Sequence, residues 1–171
     1  MIKPRTPLLA IAAYSGTGKT TLLKQVIPLL KQQQIRVGLI KHTHHDMDVD
    51  TPGKDSYALR KAGADQTLVA SDRRWALMTE TPEQPSLDLV YLASRFDHSK
   101  VDVILVEGFK HEQISKIVLF RAEMGRPLKN MLDEYVIAIA SDERHADFAG
   151  CQLDINDPQG IADFIAKWLK R

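Results

Sequence analysis

The sequence predicts an α/β fold, a mostly parallel sheet with helices on both faces, in a single domain spanning residues 1–171. Three observations predict it. Leu8-Leu9-Ala10-Ile11-Ala12-Ala13 and Val101-Asp102-Val103-Ile104-Leu105-Val106 are short, nearly continuous apolar runs, as strands buried on both faces require. Helical spacing follows the first run, at Thr20, Leu23, Val26, Ile27 and Leu30. Strand-like and helix-like segments then alternate at the pitch of crossover connections.

Taken in order, Leu8–Ala13 is the first strand and runs into a glycine-rich turn. A helix follows from about Lys19 to Gln33, with Pro28 predicting a kink or break in its last turns. Ile35–Ile40 reads as the second strand and Lys41–Lys54 as a polar segment. Asp55–Ala62 reads as a short helix capped by Asp55 and stopped by Gly63. Gln66–Ala70 and Trp75–Thr79 are β-rich, Thr81–Pro85 is a loop, and a helix ends near Phe96. After the strand 101–106 come strands at Lys116–Arg121 and Val136–Ala140. A last helix from about Gln159 to Lys170 buries Ile161, Phe164, Ile165, Trp168 and Leu169. No internal repeat, low-complexity tract or interdomain linker interrupts the chain.

Composition narrows the function classes. Hydrophobic residues at 44% and charged residues at 26% describe a globular chain. Lys plus Arg (23) and Asp plus Glu (22) nearly cancel, so charge gives no footprint for a nucleic-acid partner or an anionic membrane. Cys151 is the one cysteine, which excludes an intrachain disulfide and points to a reducing compartment. The run Leu8–Ala13 is too short to span a bilayer, and no small-residue cleavage site follows it. The expectation is a cytoplasmic protein.

Ala13-Tyr14-Ser15-Gly16-Thr17-Gly18-Lys19-Thr20-Thr21 lies between strand and helix, the context in which such a loop holds phosphates. Its glycines let backbone N–H groups turn inward with no Cβ in the way. The helix N-terminus adds partial positive charge at the same point. Ser15, Gly16, Thr17, Gly18, Lys19, Thr20 and Thr21 are the candidate nucleotide contacts. Lys19 is expected on the β- and γ-phosphates and the Thr20 hydroxyl on Mg²⁺. A glycine-rich turn that only caps a helix is the alternative, and placement between strand and helix weighs against it. Ala13 stands where the usual first glycine would be. It is therefore expected in ordinary β conformation, since a positive φ would cost alanine roughly 1–2 kcal/mol.

Val103-Ile104-Leu105-Val106-Glu107-Gly108 delivers a carboxylate at the C-terminal end of a buried strand, where open α/β sheets bind ligands. Glu107 is the candidate second metal group and, with Lys19, the candidate catalytic residue. Asp102, near the other end of that strand, reads as a surface or strand-edge group.

Lys41-His42-Thr43-His44-His45-Asp46-Met47-Asp48-Val49-Asp50 follows the second strand onto the same edge. His-x-His-His fits no standard zinc spacing and no cysteine accompanies it. The preferred reading is a polar loop folding over the nucleotide, with Lys41 and His42 on phosphate and Asp48 or Asp50 on the metal or a second ligand. A solvated loop and a transition-metal site are the alternatives. Ser141-Asp142 after the strand 136–140 has two readings of equal weight: the Asp142 carboxylate on a purine base, or a helix N-cap.

Together these residues resemble a known family. Tyr14-Ser15-Gly16-Thr17-Gly18-Lys19-Thr20-Thr21-Leu22, Lys41-His42-x-His44-His45-Asp46, Gly53-Lys54-Asp55-Ser56 with Ala62-Gly63-Ala64, and Val106-Glu107-Gly108-Phe109-Lys110 resemble the molybdopterin-guanine dinucleotide biosynthesis adapter family, MobB, from about Leu8 to Asp142. The Glu-Gly after the third strand also resembles dethiobiotin synthetase and its relatives. The MobB resemblance implies a P-loop NTPase fold and a homodimer that binds GTP with Mg²⁺ and hydrolyses it weakly. It implies a partner too, the enzyme that joins GMP to the molybdenum cofactor. It carries Gly16, Gly18, Lys19, Thr20 and Thr21 over as phosphate and Mg²⁺ contacts and Glu107 as the carboxylate. Two other classes stay open: a small-molecule kinase or ATP-dependent ligase, which would need a lid with arginines, and a metallochaperone GTPase using the histidine loop.

Overall fold

The computed structural model describes residues 6–43, 47–84, 86–109 and 111–171. His44, His45 and Asp46 of the histidine loop, and Lys110 of the Glu-Gly motif, lie outside the described residues. The chain divides into two compact units, one formed by 1–42 with 88–171 and the other by 43–87.

The larger unit is built on a six-stranded sheet in which every neighbouring pair is parallel. Its strands are β1 (Leu8–Ala13), β2 (Val37–Lys41), β5 (Val103–Glu107), β6 (Lys116–Phe120), β7 (Val136–Ser141) and β8 (Cys151–Asp154), ordered β2-β5-β1-β6-β7-β8. Alternate side chains of the strands serve two cores. Leu9, Ile11, Leu105, Ile117 and Leu119 pack with Leu22, Leu23, Val26 and Leu30 of α1 (Lys19–Gln32) and Ile161 and Ile165 of α4 (Pro158–Leu169). Leu8, Ala10, Ile104 and Val106 face the other way, onto Leu89 and Ala93 of α3 (Leu89–Ser94). Helices therefore cover both faces, as a parallel sheet demands.

Several expectations change in detail. Helix α1 runs through Pro28 without breaking, so the ring forfeits one backbone bond and the helix survives on its buried stripe. The strand expected at Lys116–Arg121 is Lys116–Phe120, central in the sheet between β1 and β7. β8 was not anticipated. No helix follows Ser141-Asp142, which removes the helix-cap reading of that pair. α4 is instead capped by Asp157, whose carboxylate accepts from the Gly160 N–H at 3.1 Å with Pro158 at the first helical position.

The smaller unit holds α2 (Asp55–Lys61) and the antiparallel hairpin β3 (Gln66–Ala70) and β4 (Trp75–Thr79). Asp55 makes no side-chain cap bond. The cap position is Lys54, and Asp55 is an acid in the first turn. Among the described residues no helix is long and apolar enough to cross a membrane.

Candidate functional site

All six strands of the sheet point the same way, so their C-terminal ends share one edge, the edge at which such sheets bind ligands. β1 ends there in Ala13, which lies in the strand as expected, and the chain turns through Gly16 and Gly18 at φ of 87° and 91°. Those are left-handed conformations that glycine adopts without penalty. The Thr17 side chain is buried, and its hydroxyl donates to the Tyr14 carbonyl at 2.8 Å. Thr17 thus staples the loop from inside, leaving its hydroxyl committed. Thr20 and Thr21, in the first turn of α1, are exposed on this edge.

β5 is hydrogen-bonded beside β1 and ends in Glu107. The Lys19 Nζ lies 3.2 Å from the Glu107 Oε1, and the Lys41 Nζ lies 4.0 Å from the same oxygen. One carboxylate is therefore shared between the lysine of the glycine loop and the lysine that ends β2. Gly108 follows at φ +90°, and a Cβ there would sit 2.9 Å from the His42 carbonyl oxygen. Only glycine lets the two strand ends approach so closely. The His42 N–H donates to the Glu107 carbonyl at 2.9 Å, and its ring packs on Phe109 with centroids 5.3 Å apart.

The structure also brings in residues that sequence reasoning did not place. Arg121, just past β6, donates from Nε to the Thr17 carbonyl at 3.2 Å and from Nη1 to the Asn156 side-chain oxygen at 3.1 Å. The Tyr14 hydroxyl donates to the Pro127 carbonyl at 2.8 Å, and the Arg126 guanidinium stacks 5.2 Å from the Tyr14 ring centre. The segment after β6 thus braces the glycine loop from outside. Lys116 is almost fully buried, pairs with Asp133 at 2.6 Å and shares with Lys19 and Gly108 the lining of a cavity of about 20 Å³. Burial pushes the Asp133 carboxyl up, but the bonds from Lys116 and the Tyr135 amide outweigh it and leave it below its ordinary value. None of these partners is near the loop in sequence, so only the strand order could reveal them.

Asp48 and Asp50 belong to the smaller unit, where Arg60 engages both, with Glu80 as a third partner at 3.3 Å. Lys61 lies 3.8 Å from Asp48 as well. Arg60 is buried, and its hydrogen bond holds the Asp50 carboxyl below its ordinary range. The expected metal role of Asp48 thus meets a carboxylate already held by two cations. Asp142 accepts from the Ala122 N–H at 3.0 Å.

Thr20 and Glu107 offer hard oxygen donors of the kind Mg²⁺ takes. Among the described residues no group of three or more His, Cys, Asp or Glu side chains is placed to hold a metal by itself. This donor set fits a magnesium ion that brings most of its ligands with it, as phosphate oxygens and water.

Known proteins are similar to this chain in sequence and in fold. The family model described as molybdopterin guanine dinucleotide synthesis protein B matches residues 8–142. A molybdopterin-guanine dinucleotide biosynthesis adapter protein of Escherichia coli (strain K12) is 64% identical over 171 residues, covering 99% of this chain and 97% of that protein. Its namesake in Haemophilus influenzae is 53% identical over 163 residues, covering 95% of this chain and 89% of the relative. The crystal structure of Bacillus subtilis MobB superposes with a TM-score of 0.73 at 26% identity, covering 94% of this chain and 96% of that one.

Proposed function

The chain belongs to the molybdopterin guanine dinucleotide synthesis protein B family, and we propose that it is a GTP-binding adapter, and a weak GTPase, that assists the attachment of GMP to molybdopterin. The Lys19–Glu107 pair at the ends of adjacent strands carries this reading. It sets the cation that meets triphosphate and the carboxylate that meets metal at one point, directly over a glycine-built turn. In this reading Lys19 takes the β- and γ-phosphates, backbone N–H groups from Gly16 to Thr21 cradle them, and Thr20 and Glu107 hold Mg²⁺. Lys41 lies close enough to share the negative charge of the γ-phosphate.

The partner is the biosynthetic enzyme that transfers GMP, and the active form is a homodimer. Support for a second copy comes from the hairpin. Gln66, Leu68 and Ala70 on β3 and Trp75, Leu77 and Thr79 on β4 lie opposite one another on one face, and all six are exposed. An isolated two-stranded hairpin is marginal in water, and Trp75 on it is 67% exposed. The test of the nucleotide reading is thermal melting with GTP or ATP, with and without Mg²⁺. GTP with Mg²⁺ should raise the midpoint most. No shift with any nucleotide would overturn the reading.

A further inference from the structure

Between β6 and β7 the chain crosses over through residues 121–135 without an α-helix, in two short 3-10 turns, Ala122–Met124 and Leu128–Met131. No residue from 121 to 135 is buried, so the crossover has no apolar anchor of its own. Yet it carries the contacts that brace the glycine loop. Arg121 donates to the Thr17 carbonyl, the Tyr14 hydroxyl donates to the Pro127 carbonyl, and Arg126 stacks over the Tyr14 ring. A segment with few buried contacts opens readily, so its register depends on polar attachments at its two ends.

Arg121 attaches the beginning, through Asn156. Lys116 attaches the end. It is almost fully buried, in a strand between β1 and β7 whose other side chains are all apolar. From there its ammonium donates to the Asp133 Oδ2 at 2.6 Å, and its backbone N–H donates to the Tyr135 carbonyl at 3.0 Å. The other Asp133 oxygen accepts from the Tyr135 N–H at 2.9 Å, which fixes the carboxylate. The last residues of the crossover are thereby tied to the start of β6 by one charged pair and the backbone beside it.

Stability alone does not account for a lysine at this place. Taking an ammonium out of water offsets most of what its ion pair gains, and apolar residues of similar volume commonly stabilise as well or better. What the pair adds is direction, since a donor and a carboxylate in contact fix a distance and an angle that apolar contacts leave loose. We propose that Lys116 is a positioning residue for nucleotide binding. It acts through Asp133 and the crossover to hold Tyr14 and Thr17 of the glycine loop in the conformation that receives phosphates. The inference rests on the GTP-binding reading above and adds to it a buried residue that works without touching the nucleotide.

The experiment compares the unaltered chain with Lys116→Met and Asp133→Asn in three measurements. These are the ligand-free melting midpoint, the rate of tryptic cleavage after the exposed Lys129 of the crossover, and affinity for GTP and GDP by calorimetry. Lys116→Met keeps an apolar stem, and the Asp133 side chain it leaves behind is 42% exposed and stays solvated. The midpoint should therefore remain near that of the unaltered chain while cleavage quickens several-fold. GTP and GDP should both bind about tenfold more weakly, because the loop conformation serves the phosphates that both carry. Asp133→Asn keeps the shape and the Tyr135 bond and should show the same changes at smaller size, which decides the matter if Lys116→Met fails to fold. Unchanged nucleotide affinity in the folded variants overturns the proposal, and a lowered midpoint alone would then make the pair structural. Weaker binding without faster cleavage also overturns it, since the crossover would not be the route. If the unaltered chain binds neither nucleotide, the GTP-binding reading falls and the proposal falls with it, while faster cleavage would still mark the pair as the anchor of the crossover.

Discussion

The Lys19 ammonium lies 3.2 Å from the Glu107 carboxylate, with side chains 21% and 14% exposed, so the cation of the phosphate loop is already paired inside the protein. In the GTP-binding reading a triphosphate draws Lys19 away from this partner. The pair holds the lysine against the carboxylate, and in the GTP-binding reading Glu107 becomes available to metal when the lysine leaves.

Lys19→Ala is expected to abolish most of the nucleotide-dependent stabilisation while the fold survives, because Lys19 sits on the sheet edge and outside both apolar cores. At a ligand concentration of 100 Kd the unaltered protein gains about 2.7 kcal/mol, and the variant should gain almost none of it. Thermal melting with and without Mg-GTP reads this directly. An unchanged shift in the variant would remove the phosphate-loop assignment.

Glu107→Gln should act with the opposite sign when metal is absent. The substitution releases Lys19 and removes a negative charge from beside the phosphates, and such a charge opposes binding over distances of several ångströms. Affinity for GTP in the presence of a chelator should rise several-fold, and the further gain on adding Mg²⁺ should shrink. Calorimetry with and without Mg²⁺ decides it. A loss of metal-free affinity as large as that of Lys19→Ala would mean Glu107 acts only by ordering the loop.

Much of this architecture was legible in the sequence because its signals are local. Apolar runs mark β1 and β5, and glycines next to Lys19 mark the loop. Alternating strand residues mark the hairpin, to the residue at both strands. What was not legible depends on strand order. Cys151–Asp154 carries no strand signal because it is short and mostly exposed, yet it forms the sheet edge beside β7. Lys116 begins a strand with a charge, which argues for an edge. It lies instead in the middle of the sheet, satisfied by Asp133 and stacked 5.8 Å from the Tyr135 ring centre. Arg121 and Asn156 carry no motif, and their place beside the phosphate loop follows only from β6 lying next to β1.

At the opposite edge, Asp102 accepts from the side chain and the backbone N–H of Arg36, which ties the starts of β2 and β5 together. The Arg36 side chain, then its backbone N–H, hold the Asp102 carboxyl down at about 2. The folded state therefore binds this proton less readily than the unfolded chain. Its contribution to stability is complete above the unfolded value of 3.8 and is lost as pH falls through about 2. Asp102→Asn should cost stability at neutral pH and flatten the acid limb between those values, with an effect limited by solvent exposure. Denaturant titrations from pH 2 to 7 on both proteins measure it. Parallel acid limbs would show that other carboxylates govern the fall.

The hairpin predicts association. Leu68 pairs directly across from Leu77, and both remain largely exposed beside Trp75. Such a face is normally covered in solution, and a symmetric copy would cover it with the same residues. Sedimentation at micromolar concentration should report a dimer, and Leu77→Lys should shift it toward monomer without loss of secondary structure. A monomer in the unaltered protein would refute the homodimer. A dimer insensitive to Leu77→Lys would place its interface elsewhere.

Hydrolysis of GTP by the isolated protein should be slow. Fast phosphoryl transfer needs a group that orients the attacking water and a cation that offsets charge in the transition state, and an arginine in that role is worth about 10³–10⁵ in rate. Lys19 and Mg²⁺ supply charge already present in the ground state. Among the described residues, the two arginines that the fold brings to the loop are otherwise engaged. Arg121 donates to Thr17 and Asn156, and Arg126 stacks on Tyr14. Releasing Arg121 would unbrace the glycine loop, so in the GTP-binding reading it is a poor source of transition-state charge. Arg126 is exposed and lies closer to what a partner could redirect. Single-turnover hydrolysis without partner should therefore run well below about 1 s⁻¹, the low end for kinases that assemble every group themselves. Arg126→Ala should barely change that unaided rate but should reduce any acceleration that the GMP-transferring enzyme provides. An unaided rate near 1 s⁻¹ or above would mean that the single chain already holds a complete catalytic set, and the adapter reading would give way to that of an autonomous GTPase.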